Sequence, residues 1–350
     1  MIKTLYACGI PLDQITIIVA TGLHRPNLGE ELDSLIGDPW VRQNVQAVNH
    51  NANAVDQHVR LGRTKTRGTS VRVDRRFVEA DLRIVTGLVE PHFMAGYSGG
   101  RKIIAPGLAH SETIRTFHNA KFMADPGASN CNFLNNPLHE EQLEIVGMLG
   151  DVYAVNTVID EDRRLSRINF GEVISSHLSM VEEVRVDCEI PVTRRFQTVL
   201  TSSAGYPLDQ TYYQAIKGMV SALEILEPGG NLIVAAACNE GFGSEAFRAS
   251  QQRLLDLGPE RLLQELLEKP LADIDEWQTQ KQLEAMARAK IHLFTEGLSE
   301  AELALTGVEC SRNLQALIHR SLSKSRCSSL AIIPEGPYVV PRYQKPHSNG

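Results

Sequence analysis

The sequence predicts an α/β protein of two domains, with mostly parallel sheets and an active-site cleft between them. Three observations carry this. Short β-branched apolar runs, such as 15–21 and 82–89, alternate with longer segments of helical period. That is how strands buried on both faces and crossed over by helices read. The alternation stops between Arg185 and Arg195, where charge mixes with Pro191, and then restarts. Finally, the 350 residues are 43% hydrophobic and 22% charged, enough for two packed cores and too apolar for a disordered chain. The expected division is an N-terminal domain over 1–186, a hinge over 187–196, a C-terminal domain over 197–340 and a loose tail over 341–350.

In the first domain, residues 15–21 read as one buried strand, too short for a helix. It runs into Gly22-Leu23-His24-Arg25-Pro26, and a short helix follows over 30–36. Residues 82–89 are the second strong strand, ending in Glu90-Pro91-His92 and the glycines at 96, 99 and 100. Ser111 is placed as the N-cap of a helix over 112–122. Residues 154–159 and 168–170 flank a charged turn and predict a hairpin. A helix closes at 180–184. In the second domain, strands are expected at 197–202, 231–237, 291–294 and 329–333. Helices are expected at 208–226, 259–268, 277–289 and 314–321.

Composition excludes several function classes. The net charge of −7 argues against a nucleic-acid surface, despite a basic cluster between Arg60 and Arg76. No uninterrupted apolar run is long enough for a membrane helix. The opening MIKTLYACGIPLDQ has no basic region followed by a long apolar stretch, so a secretory leader is not expected. The six cysteines, Cys327 among them, are scattered without a CxxC pair and read as free thiols in a reducing cytoplasm.

Ligands of open α/β sheets gather beyond the carboxyl ends of strands. His24 and His92 follow two separate strands. Two imidazoles there could serve as acid and base on opposite sides of one substrate, as inversion of a stereocentre requires. The plainer alternative is a pair of capped loop histidines. Gly96, Gly99 and Gly100 would permit close backbone approach and offer N–H groups to a phosphate, although the loop matches neither GxGxxG nor a P-loop. Lys102 could neutralise a phosphate or act as a covalent tether, or be a solvated surface lysine. His118, near the apolar face formed by Ile114 and Phe117, is either a half-buried structural histidine or a metal ligand. There is no HxxxH or HExxH, so a metal at His118 must draw most of its ligands from elsewhere. Tyr213 and Lys217 share a helix face beside Gln214 and could clamp a carboxylate, or form an ordinary polar helix. Trp277 reads as a core anchor or a ligand contact.

Taken together, GLHRP at 22–26, PHFMAGYSGGRK at 91–102, the later His118 and DQTYYQAIKG at 209–218 resemble the lactate racemase family. Order and intervals match from Ile15 to about Pro341. The resemblance implies a nickel pincer nucleotide, a pyridinium mononucleotide that holds nickel through sulfur, carbon and sulfur, with one protein imidazole completing a square plane. It implies Lys102 as the covalent tether, Gly99 and Gly100 beside the cofactor, His118 as nickel ligand, and His24 and His92 as the paired acid and base. Tyr213, Gln214, Lys217 and Trp277 match the family's substrate side, with Lys217 as carboxylate clamp. The implied partners are a small 2-hydroxy acid and the cofactor-synthesis proteins, with no nucleic acid and no membrane. The implied reaction moves the C2 hydride to the cofactor and back to the other face of a 2-keto acid.

Family members carry a further segment of roughly eighty residues before the GLHRP strand, about the size of one or two βα units. An Asp/Thr-Arg-Pro motif in it helps hold the cofactor phosphate, and no such motif precedes Gly22 here. The expectation is therefore an N-terminally shortened racemase or epimerase. The alternative is a truncated, inactive paralogue that binds cofactor or nickel weakly. A dehydrogenase with a diffusible nucleotide would need GxGxxG after the first strand, which is absent.

Overall fold

The computed structural model describes residues 1–325 and 329–345. The second half is organised by a five-stranded parallel sheet. Its order is Glu309–Ser311, Ala289–Phe294, Leu226–Ala235, Phe196–Ser202, Ala331–Ile333. Val199, Leu232, Ile233 and Val234 are fully buried in its centre, as a parallel sheet covered on both faces demands. The helix expected over 208–226 is shorter, Tyr212–Ser221. Thr211 sets its start, because its side chain accepts the Gln214 N–H. The helix Glu245–Leu257 was not expected; Pro259–Glu268 and Glu276–Arg288 follow it.

The first half is more mixed. Thr16–Val19 pairs in parallel with Gln46–Asn49. Ile84–Leu88 pairs in parallel with Tyr153–Ile159, which pairs antiparallel with Leu165–Glu172. The last two strands form the expected hairpin. A second hairpin, His58–Arg63 with Ser70–Asp74, lies where the sequence showed only basic residues. Val71 and Val73 point inward there and are fully buried, while the alternate arginines face out.

The helix expected over 112–122 is two pieces, Ser111–Phe117 and Ala120–Met123. Its N-cap is His110 rather than Ser111: the His110 side chain accepts the Glu112 N–H. Asn119 restarts the chain by accepting the N–H groups of Lys121 and Phe122, the usual way an asparagine competes with a helix interior. The break puts His118 at the end of the first piece.

Within 187–196, Glu189–Val192 forms a strand that pairs in parallel with Val340–Tyr343. The first residues of the expected tail are thus part of a sheet. Arg342 fastens them by ion pairs to Glu189 at 2.7 Å and Glu224 at 2.9 Å. Residues 346–350 of that tail, and Cys327, lie outside the described residues. The two halves also meet directly. Ala272 and Trp277 pack into the first half's core, Gln280 Nε2 donates to the Ala120 carbonyl at 3.0 Å, and Lys281 Nζ donates to the Ala128 carbonyl at 2.9 Å. Among the described residues, no helix is long and apolar enough to cross a membrane.

Candidate active site

The cleft between the halves is built from strand ends. After Thr16–Val19 the chain turns at Gly22, φ 55°, and the His24 N–H closes the turn on the Thr21 carbonyl at 2.9 Å. Burial lowers the proton affinity of His24; Asp275 opposes this, while Lys217 and Lys102 add to it. After Ile84–Leu88 comes His92, stacked on Phe93 at 5.0 Å. Its Nδ1 accepts the N–H groups of Met94 at 3.4 Å and Ala95 at 3.2 Å. Nδ1 is therefore bare, and in the neutral ring the proton sits on Nε2. Burial drives His92 well below its ordinary range, and Lys102, Lys217 and His118 push the same way.

Lys102 lies in the short helix Arg101–Ile104. Burial lowers its amine to about 8, helped by Lys217 and Arg101 and opposed by Glu90. Arg101 faces the other way. It is fully buried, donates to the carbonyls of Ala95 at 2.7 Å and Tyr97 at 3.3 Å, and lies 4.7 Å from the Phe133 ring. Its work is to hold the 95–97 loop. Gly99 and Gly100 have φ of 75° and 48°. A Cβ on Gly99 would stand 2.8 Å from Val89 Cγ2 and 2.9 Å from the Leu88 carbonyl; one on Gly100 would stand 2.5 Å from the His177 ring. The room these glycines create is filled by the chain itself.

His118 donates from Nδ1 to the Ile114 carbonyl at 3.0 Å, since a carbonyl can only accept. Nε2 keeps a free lone pair. Burial lowers this imidazole to about 4, so it is neutral at physiological pH. Its ring lies 5.2 Å from Trp277. Trp277 Nε1 donates to the Tyr213 hydroxyl at 3.1 Å, and Gln278 Nε2 donates to the Tyr213 carbonyl at 2.6 Å. On the same helix as Tyr213, Lys217 Nζ lies 5.9 Å from the Phe93 ring centroid. Burial lowers its proton affinity, and Glu90 opposes this. Gln214 Oε1 is buried without a hydrogen-bond partner.

The structure thus brings His24, His92, Lys102 and His118 from the first half together with Tyr213, Lys217 and Trp277 from the second. A cavity of about 500 Å³ opens beside His24, lined also by Gly22, Asn49, His50 and Arg76. Two carboxylates of the cleft, Glu90 and Asp275, escaped sequence reasoning. Glu90 could have been noticed from its place directly before Pro91-His92. Asp275 carries no such signal. Among the described residues no group of three or more His, Cys, Asp or Glu could hold a metal, so His118 is a lone imidazole donor.

Residues 1–130 match the profile of the lactate racemase N-terminal domain, and residues 193–340 that of the lactate racemase C-terminal domain. The chain is 30% identical over 344 residues to a lactate racemase of Lactiplantibacillus plantarum, covering 94% of this chain and 77% of that protein. It is 29% identical over 331 residues to a lactate racemase of Thermoanaerobacterium thermosaccharolyticum, covering 94% and 76%. The solved lactate racemase apoprotein of T. thermosaccharolyticum superposes with a TM-score of 0.88 at 28% identity, over 94% of this chain and 78% of that one. A Thermotoga maritima protein superposes at 0.70 with 17% identity, over 98% and 88%, which is a likeness of fold alone. With both halves matched in order and the fold shared across the cleft, the chain belongs to the lactate racemase family.

Proposed function

We propose that this protein inverts C2 of a 2-hydroxy acid, with His24 and His92 as the paired acid and base. One observation carries the reading: two imidazoles, both biased by burial towards the neutral form, reach one cleft from separate strand ends, and the Lys217 cation faces both. Neutral His24 takes the proton of the 2-hydroxyl, and His92, once a proton on Nδ1 displaces the Met94 and Ala95 N–H groups, returns its Nε2 proton to the mirror-image alkoxide; the reverse reaction exchanges the roles. Lys217 clamps the carboxylate. Gln214 Oε1 has no protein partner, and Trp277 forms a wall. The two halves closing on each other keep water from the 2-keto acid.

The nickel pincer nucleotide fits the residues present. A buried amine lowered to about 8 suits Lys102 as the point of covalent attachment. The free Nε2 of a neutral His118 suits nickel, and a single protein imidazole suits a metal whose other donors are organic. Gly99 and Gly100 lie immediately before the tether. When bound, the group supplies the hydride acceptor that C2 inversion needs. Loading requires the cofactor-synthesis proteins, and we place the enzyme with them in the cytoplasm.

The test is co-expression with those proteins, followed by metal analysis, peptide mass spectrometry at Lys102 and chiral chromatography of a panel of 2-hydroxy acids. The expected result is nickel, a mass increase on Lys102 and racemisation of at least one acid. Protein that carries nickel yet racemises none would be the inactive paralogue.

A further inference from the structure

The His92 ring is aimed by two backbone N–H groups, those of Met94 at 3.4 Å and Ala95 at 3.2 Å from Nδ1. Both contacts exceed the roughly 3.0 Å usual for an N–H donor. Such long bonds hold a ring only where the donors themselves cannot turn. The Ala95 N–H shares one peptide group with the Met94 carbonyl, and that carbonyl is gripped from behind: Asn136 Nδ2 donates to it at 3.0 Å. The carbonyl of the next peptide, that of Ala95, is held by Arg101 at 2.7 Å.

Asn136 is in turn fixed by its whole amide. It is fully buried at the N-cap of the helix Pro137–Gly147. Oδ1 accepts the N–H groups of Leu138 at 3.0 Å and His139 at 3.2 Å, and Nδ2 donates also to the Asn132 carbonyl at 2.9 Å. Backbone N–H groups only donate and carbonyls only accept, so the amide has one possible orientation. A donor on a peptide carbonyl polarises the N–H of the same peptide. Asn136 therefore acts on His92 through a single peptide group, although the two side chains share no hydrogen bond.

We propose that Asn136 is a positioning residue for His92: through the Met94–Ala95 peptide it fixes the direction of the ring and keeps the resting proton on Nε2. A proton that reaches Nδ1 during turnover displaces the two N–H groups for that step. The loop keeps its place because Asn136 and Arg101 hold its carbonyls, and it receives the ring again afterwards. The catalytic part of this assignment rests on the acid–base reading of His92 above.

The test begins in cofactor-free protein with the imidazole ¹⁵N resonances at pH 8, assigned through His92→Gln. Wild type should show His92 with Nδ1 bare and Nε2 protonated; the opposite tautomer overturns the proposal. Asn136→Ser keeps an oxygen to cap the helix and removes the donor to Met94. In it the tautomer ratio of His92 should move about fivefold towards Nδ1–H, the scale on which one hydrogen bond shifts an equilibrium. The Ala95 amide proton should move upfield, and the His24 resonances should stay. Asn136→Asp, which keeps the shape and the cap but has no donor while ionised, should act the same way. Unmoved His92 and Ala95 signals overturn the proposal, as does a His24 shift of equal size, which would mean general loosening. In the cofactor-loaded Asn136→Ser enzyme, kcat should fall about tenfold because the ring is no longer aimed, with KM within about twofold of wild type. An unchanged kcat in a variant whose tautomer has shifted overturns the catalytic part. A wild type that racemises nothing sinks the functional reading instead, and the resonances still decide the hold of Asn136 on His92.

Discussion

Gly100 and His177 share one space: a Cβ on Gly100 would sit 2.5 Å from Cγ and 2.8 Å from Cδ2 of the imidazole. His177 cannot retreat freely, since its Nε2 donates to the Ser98 carbonyl at 2.7 Å. Gly100 itself has a φ of 48°. The glycine before Arg101 is therefore demanded by packing, before any ligand is considered. Gly100→Ala is expected to destabilise the cofactor-free protein by about 2–4 kcal/mol, the sum of a left-handed alanine and an overpacked contact. Urea unfolding of apoprotein measures it. A loss under ~0.5 kcal/mol would mean the loop rearranges easily and the glycine is kept for the ligand.

The same histidine should make stability depend on pH. Burial and the neighbouring Arg101 lower His177 to about 3. The unfolded chain binds a proton near the ordinary histidine value, and the folded chain does not. Between those values the unfolded state binds more protons, so this contribution is complete at pH 7 and shrinks as the pH falls through 6.5 towards 3. Each such histidine adds up to about 1.4 kcal/mol per pH unit. His139, also lowered to about 3, acts in the same direction. His177→Gln is expected to flatten the fall in unfolding free energy between pH 6 and pH 4.5 by roughly 1 kcal/mol per pH unit. Parallel slopes for wild type and variant would refute this.

What the sequence could show was set by periodicity. The two strong strands are legible because their β-branched runs are unbroken, and His24 and His92 are legible because they follow them. The 112–122 helix is misread because Asn119 takes the N–H groups of Lys121 and Phe122, which no hydrophobic period reveals. The hairpin at 58–74 is hidden because its outward residues are arginines, and a basic cluster masks the alternation of Val71 and Val73. Asp275 is invisible for a different reason. It bears on His24, 251 positions earlier in the chain, only because the fold brings the two into one cleft. The resemblance supplied roles for Lys102 and His118 that spacing alone left open. Their placement in one cleft, with Nδ1 of His118 engaged and Nε2 free, is a matter of tertiary structure.

Lys217 is the cation that a carboxylate substrate should need. Its neighbours are the Phe93 ring at 5.9 Å and the Glu90 carboxylate. Lys217→Gln keeps much of the length and loses the charge. KM for the 2-hydroxy acid is expected to rise on the order of 30-fold, the scale of a charge-assisted hydrogen bond. Nickel content and the Lys102 modification should remain, because Lys217 enters from the other half. A variant that loses the nickel together with the substrate would show that Lys217 serves the cofactor.

Lys102 offers the sharpest check on the cofactor reading, since its chemistry can be followed before any cofactor is present. An amine lowered to about 8 is roughly one-tenth unprotonated at pH 7, whereas an ordinary lysine near 10.4 is less than about one-thousandth so. In apoprotein, a small acylating reagent should therefore modify Lys102 ahead of the exposed lysines, with a rate that climbs through pH 8 and levels off by pH 9. Peptide mass spectrometry across pH gives that profile. Lys102→Arg removes the nucleophile while keeping a cation beside Glu90, because a guanidinium stays protonated. It should abolish the covalent mass increase in cells that make the cofactor. His118→Ala, by contrast, should leave the tether chemistry intact and reduce only the metal. If Lys102→Arg protein still gains the mass, attachment is elsewhere. If Lys102 reacts no faster than surface lysines, burial alone does not prepare it, and the synthesis proteins must activate the bond.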